Sequence, residues 1–244
     1  MEIEFVTVIN NFDIYNRIFI NNSFLSNFKL VKFDNTTENL PLAKRYNQYI
    51  DKLMPENTWI VFCHQDFEFK EDISTLLQNL DYSNIYGPIG AGWKKNLVCF
   101  LRLDYFKIRK FKIGIIKRRQ IIGSIEEKQS DKYVKIGKFI KRPEIVDTVD
   151  GCCIIIHSSL IKKYNLRFDD NLDWHLYSED FSLNAKIYHK VITKVVQISS
   201  THHSSGSFNA EFHHSLVYIR NKYNNFDFAS TCYDGYNYNF VNKL

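Results

Sequence analysis

The sequence predicts an α/β protein with a mainly parallel central sheet, helices on both faces and a smaller irregular region. Three observations lead there. Short β-branched runs alternate with stretches of helical period through the first part of the chain, the order that yields parallel strands joined by right-handed crossovers. The run Trp59 to Cys63 is continuously apolar, as a strand covered on both faces must be. The rhythm stops at Gly90-Ala91-Gly92-Trp93 and resumes only near Val146.

Glu4 to Ile9 reads as the first strand, followed by Asn10-Asn11 and a helix marked by Ile14, Ile18 and Phe19. Phe28 to Phe33 is the second strand. Leu42 to Leu53 is a helix that carries Leu42, Ala43, Tyr46 and Ile50 on one face. After Trp59 to Cys63 come a helix over Asp72 to Leu80 and a short strand over Ile85 to Ile89. Residues 92–145 have no clear period, and Lys107, Arg109, Lys110, Lys112, Lys117, Arg118 and Arg119 fall there without an intervening acid. A solvated excursion is one reading of that run, and contact with an anionic membrane surface or anionic acceptor is the other. Order returns at Val146-Asp-Thr-Val-Asp-Gly151, which leads into the buried run Cys152 to Ile156 and a helix from Ser158. Ser178-Glu179-Asp180 opens an amphipathic helix, Val191 to Ile198 is a strand, Thr201 to Gly206 a polar loop, and His213 to Tyr223 a last helix. One domain over 1–208 is expected, divided at 1–91, 92–145 and 146–208, with a helix and tail over 209–244.

Composition bounds the function. With 244 residues, 45% of them hydrophobic, the chain can bury a substantial core, and 9 Gly and 4 Pro exclude collagen-like and linker-dominated chains. The excess of 32 Lys and Arg over 27 Asp and Glu, a net +5, favours anionic partners without choosing among them. Five cysteines with no CxxC suggest neither a disulfide framework nor a zinc knuckle, so reduced thiols are expected, with Cys152 and Cys153 in the core. Acid stands near the N-terminus where an export signal needs base, and no apolar stretch approaches the roughly 20 residues of a membrane span. The expectation is a cytoplasmic protein, soluble or held peripherally at the inner membrane face through 107–119. No nucleic-acid partner is expected, because no recognition module is encoded.

Ligands of open parallel sheets gather beyond the carboxyl ends of the strands. Those positions hold Asn10 and Asn11, then Asp34, Asn35 and Thr36, then His64, Gln65 and Asp66. Neither GxGxxG nor GxxxxGK[ST] follows the first strand, which disfavours dinucleotide dehydrogenases and P-loop enzymes. An imidazole and a carboxylate just past a buried strand can hold a divalent cation, or Asp66 can simply cap the next turn. Glu179 and Asp180 suit a helix start, where the dipole favours acids, and one of them, Asp180 by choice, can serve as general base. Adjacent histidines point apart, so His202-His203 is expected to lend one imidazole to the Asp66 site.

Four segments in order carry a resemblance: Val6-Thr-Val-Ile-Asn-Asn11; Leu40 to Ile50, ending Tyr46-Asn-Gln-Tyr-Ile50; Trp59-Ile-Val-Phe-Cys-His-Gln-Asp66; and Val149-Asp-Gly151 with Ser178-Glu-Asp-Phe-Ser-Leu183. Together they resemble family 2 type nucleotide-sugar glycosyltransferases of the GT-A (Rossmann-like) fold, in the bacterial branch with His-Gln-Asp in place of Asp-x-Asp. The resemblance implies an inverting transfer of a sugar, with a UDP-sugar the expected donor, to a hydroxyl of a glycan or lipid-linked acceptor, such as lipopolysaccharide, capsule or a glycoprotein glycan. It implies Asn10 and Asp34 at the base and ribose, Lys44 or Arg45 near the diphosphate, and His64 and Gln65 beside the nucleotide. Asp66 and His203 would hold Mn or Mg, Asp150 would lie near the donor sugar or acceptor, and Asp180 would deprotonate the acceptor. A nucleotidyltransferase acting on a sugar phosphate is disfavoured by the missing glycine-rich basic loop. A catalytically silent nucleotide- or glycan-binding partner of another transferase is the alternative from a different class.

Overall fold

The computed structural model describes residues 1–104, 107–204 and 208–232, with the backbone alone over 95–117. Strand β1 (Glu2–Ile9) runs into the one-turn helix α1 (Phe12–Tyr15), whose N-terminus is capped by the Asn11 side chain accepting from the Asp13 and Ile14 amides. Next come β2 (Lys29–Asp34), α2 (Leu42–Lys52), β3 (Thr58–His64), β4 (Phe67–Phe69), α3 (Ser74–Gln78) and β5 (Asn84–Gly87). The middle of the chain forms β6 (Ile89–Asp104), β7 (Lys107–Gln129), β8 (Lys132–Lys138), β9 (Glu144–Val146) and β10 (Thr148–Val149). The last part is β11 (Cys153–His157), α4 (Ser158–Tyr164), α5 (Tyr177–His189), β12 (Ile192–Val195), β13 (Ser200–His202) and α6 (Ala210–Lys222).

The α/β class holds: a seven-stranded sheet, ordered β2-β1-β3-β11-β5-β12-β9, is flanked by helices. It is parallel where strands and helices alternate, between β1 and its neighbours β2 and β3 and between β5 and β12. Strand β11 enters antiparallel to β3 and β5 because the chain arrives from β10 at the carboxyl end of β3, where the His64 amide bonds the Cys152 carbonyl at 3.1 Å. Buried residues of β1 and β3 divide by alternation between two cores. Val6, Ile60 and Phe62 pack with Tyr46, Phe168 and Phe181, and Phe5, Trp59 and Val61 pack with Phe19, Phe69 and Leu77. This is why both strands read as mostly apolar runs. The buried acid of β1, Glu4, is satisfied by Tyr49 Oη at 2.8 Å and Lys29 Nζ at 2.6 Å.

The stretch 92–145, expected to be irregular, is built instead from β6, β7 and β8 as an antiparallel ribbon belonging to a second sheet, ordered β10-β6-β7-β13-β4. Lys and Arg interrupt its apolar alternation, which hides the strand period in the sequence. Lys107, Arg109, Lys110, Lys112 and Lys117 have side chains outside the described residues, as does the tail over 233–244. The polar loop expected from Thr201 contributes its first residues to β13. No helix among the described residues is long and apolar enough to cross a membrane.

Candidate functional site

The second sheet brings a histidine to the end of the first. Strand β13 pairs antiparallel with β4, with His202 opposite Phe67, and the His203 amide bonds the Asp66 carbonyl at 2.9 Å. Successive strand side chains face opposite ways. His202 therefore lies beside Asp66, Nε2 to Oδ1 at 3.5 Å, while His203 faces Glu68 and Tyr133, each at 2.8 Å. His203, expected at the metal, lies outside the cluster. His64, Asp66 and His202 form it, with ligand atoms all within 4.8 Å of one another.

Protonation at this cluster follows from its contacts. Tyr177 Oη donates to the Gly151 carbonyl at 2.9 Å, so its 2.7 Å contact with His64 Nε2 requires the imidazole to donate. That assigns the Nε2–H tautomer and leaves the Nδ1 lone pair as the donor atom for a metal. Burial lowers the His64 pKa and keeps the ring neutral. Burial alone would raise Asp66, yet the hydrogen bond and charge of His202, with His64 beyond, hold it well below the usual carboxylate range. Burial opposes the charge on His202, and Asp66 overcomes it and raises the pKa. Two imidazoles and a carboxylate fit a divalent transition ion such as Mn better than Mg, which prefers an all-oxygen shell.

Beside the cluster opens a cavity of about 630 Å³ that His64 and His202 share with Asp150 and Glu179. Helix α5 begins there after Leu176, a buried residue held at φ 61°, a left-handed conformation that is strained for a branched side chain. Gly151 permits the approach of this turn, since a Cβ there would stand 2.7 Å from Tyr177 Oη. Entry in this register sends Glu179 toward the cavity and Asp180 away from it. Asp180 is 1% exposed, bonded to Tyr223 Oη at 2.8 Å and paired with Lys222 Nζ at 2.7 Å. Lys222 also holds Asp169 at 2.5 Å, so Asp180 ties α6 to α5.

Glu179 is bonded differently. Ser178 Oγ donates to Oε2 at 2.8 Å and Ser230 Oγ to Oε1 at 2.7 Å. Burial and the charge of Asp150 outweigh these bonds and push its pKa up to about 7. Asp150 remains below its ordinary value: burial opposes its charge, but Thr231 Oγ1 at 2.6 Å and the Cys152 amide at 3.0 Å stabilise it. Both carboxylates are thus positioned by 230–231, beyond the last helix. That strap is fixed by Arg119, which donates to the Ser230 carbonyl at 2.9 Å, and by Thr148 Oγ1, which donates to the Ala229 carbonyl at 2.8 Å.

A second, smaller cavity of about 170 Å³ lies at the ends of β1, β2 and β3, lined by Val8, Asn10, Asn35, Leu42, Gln65 and Trp174 together with His64 and Asp66. Gln65 accepts from the Asn10 and Asn11 amides, both at 3.0 Å, and its amide nitrogen meets Asn10 Oδ1, closing the floor between two strand ends. Asp34 is exposed, with its carboxylate engaged by the Thr36 amide and hydroxyl, and its neighbour Asn35 lines the cavity. Lys44 is exposed on α2 and does not line either of these two cavities. Arg45 is buried against Asn35, the Asp34 carbonyl, Gln48 and Glu38, so the guanidinium expected near a diphosphate instead braces the β2–α2 loop.

The sequence reading held both members of each pair and chose His203 and Asp180, where the structure brings His202 and Glu179 to the cavity; it gave Ser230 and Thr231 no place. Strand alternation at β13 signals that only one of His202 and His203 can face Asp66, and the register with β4 selects which; nothing local distinguishes Glu179 from Asp180 or draws 230–231 to the site.

No protein-family model matches the chain, and no curated protein matches it. Among solved structures, it is similar to TarS residues 1–349 from S. aureus at 10% identity and a TM-score of 0.48, over 83% of this chain and 60% of that one. It is also similar to the inositol-1-phosphate CTP transferase from T. maritima at 13% identity and a TM-score of 0.32, over 79% of this chain and 67% of that one. The chain thus spans less than two thirds of the TarS structure it matches.

Proposed function

We propose that the chain is an inverting glycosyltransferase that moves a sugar from a nucleotide-sugar donor, a UDP-sugar in the first instance, to a hydroxyl of a glycan or lipid-linked acceptor. The observation that carries this reading is the shared cavity. A buried carboxyl with a pKa of about 7 opens into the same space as a three-residue set suited to a divalent cation. A carboxyl at that pKa is ionised enough near neutrality to take a proton and basic enough to want it.

Base and ribose would occupy the smaller cavity between Asn10, Asn35 and Gln65, with Trp174 and His64 common to both cavities. When bound at His64, Asp66 and His202, a divalent cation such as Mn would offset the negative charge gathering on the diphosphate. Glu179, in place of the expected Asp180, takes the proton from the acceptor hydroxyl. The acceptor oxygen then bonds to the anomeric carbon from the face opposite the diphosphate. The bond from that carbon to the phosphate oxygen breaks, its electron pair leaves with the diphosphate, and the anomeric configuration inverts. Asp150, kept ionised by Thr231, faces the same space and stabilises positive charge on the sugar in the transition state. Ser178 and Ser230 hold the base in place.

The test pairs thermal-shift titration of nucleoside diphosphates and nucleotide sugars, with and without Mn, with mass-spectrometric detection of transfer. Glu179→Gln is expected to bind the nucleotide and lose transfer, whereas full transfer by this variant would overturn the assignment of the base. A nucleotidyltransferase would instead release pyrophosphate from a nucleoside triphosphate and a sugar phosphate, which the same spectra distinguish.

A further inference from the structure

The larger cavity has a composition that restricts what can enter it. One wall comes from the second sheet, with Ile89 on β6, Ile121 and Ile125 on β7 and Ile136 on β8. Trp174, Phe208 and Phe212 also line the cavity, the two phenylalanines in edge contact at 4.9 Å between centroids. Phe208 is 60% exposed, as a residue at the mouth would be. The isoleucine and phenylalanine side chains offer no hydrogen-bond partners to a densely hydroxylated ligand, so polyol groups against them would be desolvated without compensation. On the polar side the carboxyl groups of Asp150, Glu179 and Glu127 share the lining with the imidazoles of His64, His175 and His202, and no lysine or arginine lines the cavity among the described residues. Glu127 lies in register with His202 and accepts from the neutral Gln129 side chain at 3.2 Å. It belongs to neither the metal cluster nor the proposed base.

We infer that the acceptor is an uncharged glycoside bearing an apolar group, and that Glu127 excludes anionic acceptors. The inference rests on the glycosyltransferase reading and adds the substrate class. A carboxylate or phosphate on the acceptor, when seated against the second-sheet wall, would meet Glu127 in a space with restricted water, where like charges repel more strongly than at an open surface. An alkyl or aryl aglycone, by contrast, finds the isoleucine and phenylalanine walls.

The test measures equilibrium binding of paired small glycosides to the full chain in the presence of MnCl2 and UDP. Phenyl and methyl β-glucosides and β-galactosides are compared with the phenyl β-glucuronide and β-galacturonide, which differ only by a carboxylate at C6. Phenyl glycosides should bind about tenfold tighter than methyl glycosides, and neutral glycosides about tenfold tighter than uronides. Glu127→Lys should level the second ratio and leave the first in place; Glu127→Gln, the milder change, should reduce the second ratio. Equal binding of uronides and neutral glycosides, equal binding of methyl and phenyl glycosides, or binding of none overturns the inference. Other nucleoside diphosphates are titrated with Mn in parallel. If nucleotide binding persists while the glycoside pattern fails, only the acceptor class falls. If no nucleotide binds in either state, the transferase reading falls, whatever the glycosides do.

Discussion

Ser230→Ala should move the protonation of Glu179 upward by about one pH unit. Ser230 Oγ is fully buried and donates to Glu179 Oε1 at 2.7 Å, one of two hydroxyls that stabilise the ionised carboxylate against burial and the charge of Asp150. A hydrogen bond to a charged group contributes about 1.5–3 kcal/mol. Each pH unit corresponds to about 1.4 kcal/mol, so losing that bond raises a pKa of about 7 by a unit or more. The variant also frees the Cys232 amide, which bonds Ser230 Oγ at 3.0 Å, so lower stability alone is uninformative. The readout is therefore the acid limb of kcat/KM for transfer against pH, with the 13C shift of the Glu179 carboxyl as a measure independent of turnover. Both should move alkaline in Ser230→Ala and in Ser178→Ala, which removes the 2.8 Å bond to the other oxygen. An acid limb and carboxyl titration unchanged in Ser230→Ala would refute the argument that the strap sets the protonation of the base.

Glu179 also links stability to pH. Its folded pKa of about 7 exceeds the ordinary 4.5, so its contribution to stability is complete below 4.5 and is lost as pH rises through 7. Glu179→Gln should remove a pH dependence of roughly 3 kcal/mol at most between those limits, read from urea unfolding at pH 5 and pH 8. Lys222→Met should destabilise the chain by about 3 kcal/mol by leaving Asp180 buried and Asp169 half-buried without their cation, and adding Asp180→Asn should restore part of the loss. Asp169 is held down to about 2: burial opposes this, but Lys222 and the Asn171 amide prevail, so its contribution is present above the ordinary 3.8 and lost as pH falls through 2. Acid unfolding of wild type and Lys222→Met should converge in that range. His202→Ala should weaken Mn binding by about tenfold or more in paramagnetic titration, while His203→Ala, which loses Glu68 and Tyr133 contacts, should retain it.

The parts of the fold legible in the sequence are those set by local period. Strands β1 and β3 and helix α2 could be read because burial on both faces demands mostly apolar runs, and a helix packed on a sheet demands a stripe. The cluster of polar residues at the strand ends was legible for the same reason: in a parallel sheet, chain direction alone places Asn10, Asn35, Gln65 and Asp66 at one edge. The ribbon was not legible, because strands that pair with each other along much of their length tolerate Lys and Arg wherever a face meets solvent. At β11 the buried run was legible and its direction was not, because the antiparallel entry follows from where the ribbon returns the chain and not from any residue in Cys153–His157.

By itself the sequence determined the α/β class, the first three strands and their helices, and the position of His64, Gln65 and Asp66 beyond a buried strand. Only the tertiary structure decided which of two neighbours faces the cavity or joins the cluster. His202 rather than His203 reaches Asp66 because β13 pairs with β4 in one register, and a strand side chain has only two directions to face. Glu179 rather than Asp180 opens to the cavity because the left-handed turn at Leu176 fixes the rotation of α5, with Lys222 and Tyr223 claiming the other acid. Each choice depends on a partner distant in sequence, and no local pattern of residue types encodes such a partner.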